Sequence, residues 1–140
     1  MNNRILIVNG PNLNLLGRRA PNLYGTRSME QIIIDMQKAY PDVCFTYRQS
    51  NHEGDLIDWI QGAEDYKGLI LNAGGYTHTS VALRDAVEIC DVPVVEVHLS
   101  NITQRENFRQ KSLLSDVCKQ TIMGLSCYEE AVSYIMSLGC

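Results

Sequence analysis

Apolar residues along this chain fall into two alternating patterns. One is the short, near-continuous run, as in Ile5-Leu6-Ile7-Val8, Leu69-Ile70-Leu71 and Val94-Val95, which suits strands covered on both faces. The other recurs every three or four residues, as in Met29, Ile32, Ile33 and Met36, or Leu56, Ile57, Ile60 and Ala63. Leu83, Ala86, Val87 and Cys90 repeat that spacing, and so do Ala131, Val132, Ile135 and Leu138. Each of these sets lies along one side of a helix. The pattern predicts strands over Arg4 to Asn9, Val43 to Arg48, Gly68 to Asn72, Val92 to His98 and Lys119 to Met123. Three helix starts read as capping boxes, a hydroxyl followed three residues later by Glu or Gln: Ser28 with Gln31, Thr103 with Glu106, and Ser126 with Glu129.

Apolar strands separated by helices predict an α/β fold in a single domain spanning residues 1–140. The expected architecture is a flavodoxin-like, doubly wound, five-stranded parallel sheet in the order 2-1-3-4-5. Ligands in such sheets bind beyond the carboxyl ends of the strands, where the strand order switches. The loops after the first, third and fourth strands should therefore meet: Asn9 to Gly25, Asn72 to Thr79 and His98 to Arg105. They are also the loops richest in Asn, His, Arg, Tyr and Ser. The first is 17 residues long, where about two to six is usual for a strand-to-helix connection. A loop of that length and chemistry reads as a lid over a site.

Glu96 and His98 are two apart on one strand and so share a face, with Val95 and Val97 on the other. A carboxylate beside an imidazole fixes its tautomer and readies it for proton transfer; the plainer alternative is a half-buried polar pair at a strand end. Tyr24 with Arg19 makes a sharper pair. Tyrosines ionise near pH 10, so a tyrosinate base working at neutral pH needs a cation beside it. The alternative is a tyrosine ring that merely packs on the lid. His78 and Asn72 offer hydrogen bonds to a polyhydroxy ligand. Ser100-Asn101-Ile102-Thr103 leads into a predicted helix whose amino end offers N–H groups to a carboxylate, with Arg105 or Arg109 adding a direct contact. Arg84 and Asp85 fit an ion pair or a subunit contact equally well. A metal site from His78, Glu96 and His98 has no closely spaced ligand motif behind it.

Composition narrows the class of ligand. With 16 acidic residues against 12 basic, a net charge of −4 gives no footprint for nucleic acid or an acidic membrane surface. The arginines are nonetheless clustered: Arg18, Arg19 and Arg27 in or beside the first loop, Arg105 and Arg109 after the fourth strand. Local positive charge in an acidic chain suits a small anion. The five cysteines, Cys44, Cys90, Cys118, Cys127 and Cys140, are scattered and odd in number, which points to reduced thiols, mostly in the core, of a cytoplasmic protein. No targeting segment precedes the first strand, and no apolar run approaches membrane-spanning length.

Three stretches together carry a resemblance: Asn9 to Gly25, Leu71 to Ala86 and Val95 to Asn101 closely resemble type II 3-dehydroquinate dehydratase, and the likeness runs end to end. It implies reversible loss of water from 3-dehydroquinate, giving 3-dehydroshikimate in the shikimate pathway of aromatic amino-acid biosynthesis, with neither metal nor cofactor. By the same resemblance Tyr24 is the base, Arg19 keeps it ionised, and His98 is the acid, oriented by Glu96. Asn12 holds a water against the enolate oxygen. Asn72, His78, Leu99, Ser100, Ile102 and Arg109 match substrate-binding positions, the substrate carboxylate resting on Ser100 to Ile102. Asp85 matches a residue that reaches a neighbouring subunit's site in trimers, which pair further into dodecamers. Two positions depart from the commonest pattern: Ala20 stands where an acidic residue is usual and Ala73 where proline is frequent.

A non-catalytic small-anion or flavin carrier of the same fold is the main rival. It lacks a glycine-rich phosphate cradle, and bulky side chains fill the first loop where a flavin phosphate needs small ones. A response regulator would need acidic residues where Asn9-Gly10-Pro11 stands.

Overall fold

The computed structural model describes residues 2–18 and 20–138. Its five strands, β1 (Arg4–Asn9), β2 (Cys44–Gln49), β3 (Gly68–Asn72), β4 (Val94–His98) and β5 (Gln120–Met123), form one parallel sheet in the order β2-β1-β3-β4-β5. Four helices follow the expected apolar stripes, α2 (Met29–Ala39), α3 (Glu53–Gln61), α4 (Val81–Glu88) and α5 (Cys127–Leu138), and a short α1 (Pro21–Tyr24) lies within the first connection. Among the described residues, no helix is long and apolar enough to cross a membrane.

Side-chain alternation along the strands divides the core into two layers. Ile5, Ile7, Ile70, Val95 and Val97 face α2 and α5, meeting Ile32, Met36, Ala131 and Ile135. Leu6, Val8, Leu69, Leu71 and Val94 face α3 and α4, meeting Leu56, Ile60, Leu83 and Val87. The first connection is anchored rather than loose at its base, because Leu13 and Leu16 are buried in the first layer. Of the four described cysteines only Cys127 is buried; Cys90 and Cys118 are half-buried and Cys44 is exposed, so the thiols are less a core feature than expected.

The strand ends at the switch point are tied by a buried polar chain. The Tyr128 hydroxyl donates to Asn9 Oδ1 at 2.7 Å and accepts from Asn72 Nδ2 at 3.1 Å. Asn72 Oδ1 in turn accepts from the Gly74 N–H at 3.2 Å. Complete burial of Tyr128 pushes its phenol well above the ordinary value, so it stays a neutral donor and acceptor. Backbones here approach too closely for a side chain, since a Cβ on Gly10 would lie 2.4 Å from the Ala73 carbonyl oxygen. Tyr128→Phe leaves one buried amide acceptor and one donor unmet, at about 2 kcal/mol. Urea unfolding should register that loss as a lower midpoint at unchanged slope.

Two capping expectations fail for local reasons. Ser28 caps α2 by accepting from the Gln31 N–H, although the Gln31 side chain turns to Asp35 and leaves the box half made. No helix follows Thr103: Asn101 Oδ1 accepts from both its N–H and its hydroxyl, and only single 3-10 turns form, Ile102–Gln104 and Asn107–Arg109. At α5 the Ser126 hydroxyl donates to Glu130, while Glu129 pairs with Arg27.

Candidate active site

Beyond the ends of β3 and β4 the three expected loops do converge. They enclose a small cleft, partly open to solvent, with about 50 Å³ of internal space. Leu13 and Tyr24 line it from the first connection, and Asn72, Gly74, Gly75 and His78 from the second. His98, Leu99, Ser100, Ile102, Arg105 and Arg109 complete it from the third.

At its floor, His98 Nε2 donates to Glu96 Oε2 at 2.5 Å. Glu96 is fully buried and His98 is 6% exposed. Because the ring donates through Nε2, Nδ1 is the nitrogen that Glu96 leaves unengaged. Burial pushes the Glu96 carboxyl up, but hydrogen bonds from His98, Ser112 and Ser115, with the charge of His98, outweigh it. The net result lies below the usual carboxylate value.

Elsewhere in the cleft lining, Arg105 Nη1 donates to the Tyr24 hydroxyl at 2.9 Å and to Ser100 Oγ at 3.2 Å. The guanidinium also lies 5.5 Å from the Tyr24 ring centre. Glu106 steadies both cleft arginines, accepting from Arg105 Nε at 3.4 Å and Arg109 Nε at 2.8 Å. The Arg109 hydrogen bond leads the causes that hold its carboxyl below the usual value. His78 Nδ1 lies 2.9 Å from the Lys111 carbonyl. A carbonyl only accepts, so Nδ1 carries the hydrogen and Nε2 is left for a ligand.

A phenol beside a guanidinium and an imidazole beside a carboxylate thus share one cleft. The family described as Dehydroquinase class II matches residues 3–137. The chain belongs to the class II dehydroquinases. A type II dehydroquinase from Propionibacterium acnes superposes with a TM-score of 0.90 at 34% identity, covering 98% of both chains. A 3-dehydroquinate dehydratase from an Exiguobacterium species is 57% identical over 122 residues, 86% of this chain and 84% of that relative. The relative named 3-dehydroquinate dehydratase 1 from Agrobacterium fabrum is 47% identical over 141 aligned positions, covering 99% and 94%.

Against this dehydroquinase frame the remaining expected residues separate. Asn12 is exposed, in a left-handed conformation (φ 70°), and is not among the cleft-lining residues; its N–H donates to Asn51 Oδ1. Asp85 is exposed on α4 and does not pair with Arg84, which turns instead to Asp116 and the Leu113 carbonyl. Arg19 lies outside the described residues. Arg27 serves as an anchor for the lid, pairing with Asp35 and Glu129 at 3.0 Å each. Asn72 lines the cleft but spends both ends of its amide on Tyr128 and Gly74. Among the described residues, no three His, Cys, Asp or Glu side chains converge as a metal-ligand set.

The two departures from the dehydroquinase pattern have different consequences. Ala73 has φ −77°, a value proline also adopts, so the turn keeps its shape. Ala20 precedes α1 with no side-chain cap, where an acidic residue would accept from the helix N–H groups. Sequence reasoning missed the Arg105 contact to Tyr24, the Glu106 brace, and Ser112, Ser115 and Thr121 around Glu96. The four-residue spacing of Arg105 and Arg109 pointed to a ligand contact and not to Tyr24, and nothing in the local pattern marked the hydroxyls.

Proposed function

We propose that this chain dehydrates 3-dehydroquinate reversibly to 3-dehydroshikimate, using Tyr24 as base and His98 as acid. One observation carries the residue roles: the Tyr24 hydroxyl and the His98 ring line the same cleft, the first in contact with a guanidinium and the second with a carboxylate. Tyr24 as phenolate takes the proton next to the ketone, forming an enolate. Arg105 stabilises the phenolate oxygen through its hydrogen bond, and Arg19 is a second candidate for that duty. The enolate then expels the hydroxyl group, which leaves as water by taking the Nδ1 proton of His98. Asn12 stabilises the enolate oxygen through a water, a donor that gains strength as charge develops.

Arg109, Ser100, Leu99 and Ile102 receive the substrate carboxylate, and His78 and Asn72 border its hydroxyls. No metal or cofactor enters these steps. The working assembly is a dodecamer of trimers in the cytoplasm, with the exposed Asp85 available to a neighbouring copy's site.

The test is direct. Purified protein treated with EDTA and given 3-dehydroquinate should produce the ultraviolet absorbance of a conjugated enone. No rise, with the substrate merely bound, would favour an anion-binding module; a rise only on adding metal would overturn the cofactor-free route.

A further inference from the structure

Glu96 holds more hydrogen bonds than the orientation of one imidazole requires. Its Oε2 accepts from His98 Nε2 at 2.5 Å and from the Ser112 hydroxyl at 2.6 Å. Its Oε1 accepts from Ser115 at 2.7 Å and from Thr121 at 3.0 Å. All four are donors to a fully buried carboxylate. They arrive from separate parts of the chain: Thr121 is the register neighbour of Glu96 on β5, while Ser112 and Ser115 belong to the irregular segment before it.

That segment is itself pinned. The Leu113 N–H donates to the Thr77 carbonyl at 2.9 Å, and Ser112 Oγ accepts from the Leu114 N–H at 3.0 Å. Arg84 donates to the Leu113 carbonyl at 2.8 Å and pairs with Asp116.

We propose that Ser112, Ser115 and Thr121 are positioning residues of the dehydration, keeping Glu96 a carboxylate beside His98 while the acid does its work. The inference rests on the reading of His98 as that acid. A buried carboxylate with too few donors relieves its desolvation by accepting a proton. The nearest proton is the one on His98 Nε2. If it crossed to Glu96, the ring would be left neutral with hydrogen only on Nδ1, and a neutral imidazole is a far weaker acid than an imidazolium.

Hydroxyl donors oppose that transfer, since each bond is strong only while the acceptor is charged. They also do so without bringing a second cation to compete with the imidazolium for Glu96. The Cys118 thiol also faces this charge; it is pushed up to about 12 by burial first and the Glu96 charge second, and is hence neutral.

Two measurements on the full chain test this: a carbon-13 NMR titration of the Glu96 carboxyl, and steady-state kinetics with 3-dehydroquinate. Ser115→Ala and Thr121→Val should each raise the Glu96 titration midpoint and lower kcat about tenfold, the worth of one hydrogen bond to a charged group. KM should stay within about threefold of its wild-type value, since none of the three hydroxyls belongs to a cleft-lining residue. Thr121→Ser, which restores the hydroxyl without the methyl, should recover most of the loss.

An unchanged midpoint and kcat in both deletions would overturn the proposal, as would Thr121→Ser losing as much as Thr121→Val. Melting curves identify a variant that does not fold, and the other deletion then decides. A wild-type protein that shows the NMR behaviour but forms no enone would refute the reaction assignment while leaving the hydrogen-bond assignment standing.

Discussion

Tyr24→Phe is expected to lower kcat for 3-dehydroquinate about a thousandfold, within the range general-base removal commonly costs. Affinity for the product should change little. The ring itself is retained in this variant. It still packs against the α2 and α5 core layer and still lies beside the Arg105 guanidinium, so α1 keeps its place over the cleft. Only the oxygen is lost, and with it the hydrogen bond from Arg105 Nη1. Steady-state kinetics for turnover and calorimetry for the product measure the two halves separately. Near-normal kcat would require another base. A matched loss of product affinity would instead make Tyr24 a binding residue.

Arg105 shows where the sequence pattern stops short. Its place four residues before Arg109 suggested that one or the other contacts a carboxylate, and both do line the cleft. Its contact with Tyr24 joins residues 81 positions apart, and no local periodicity encodes that. The sheet was readable because buried parallel strands leave apolar runs and the helices leave stripes. Glu96 and His98 were readable as a pair because strand geometry puts alternate residues on one face.

The predicted helix after Thr103 was not, because the capping pattern names only candidate partners. Asn101 took the Thr103 hydroxyl and N–H, and Glu106 went to two arginines. Serine and threonine leave no hydrophobic signature, so the hydroxyls around Glu96 emerge only once β5 pairs with β4 in its actual register. The same limit applies to Asn72: its position at the end of β3 was readable, but the inward use of its amide depends on Tyr128, 56 residues away.

Glu96→Gln carries the second large effect, on turnover and stability together. An amide has the shape of the carboxylate but turns half of it into a donor, in a site whose four neighbours all donate. The three hydroxyls can rotate to accept; an imidazolium has no lone pair to offer. The variant should therefore lose about 10²-fold in kcat or more, because the charged acid no longer has its counter-ion. The cost in stability at neutral pH should be about 1–3 kcal/mol as charge-assisted bonds become neutral ones.

The pH dependence follows from the depressed carboxyl. The folded value lies below the ordinary value of about 4.5, so the contribution of Glu96 is fully present above that value. It is lost as pH falls through the lower folded value. The stability gap between wild type and Glu96→Gln should thus narrow as the pH falls below about 4.5. Urea unfolding at a series of pH values measures it directly. A gap that stays constant into the acid range would mean that Glu96 is already protonated in the folded protein, and that His98 works without an anion behind it.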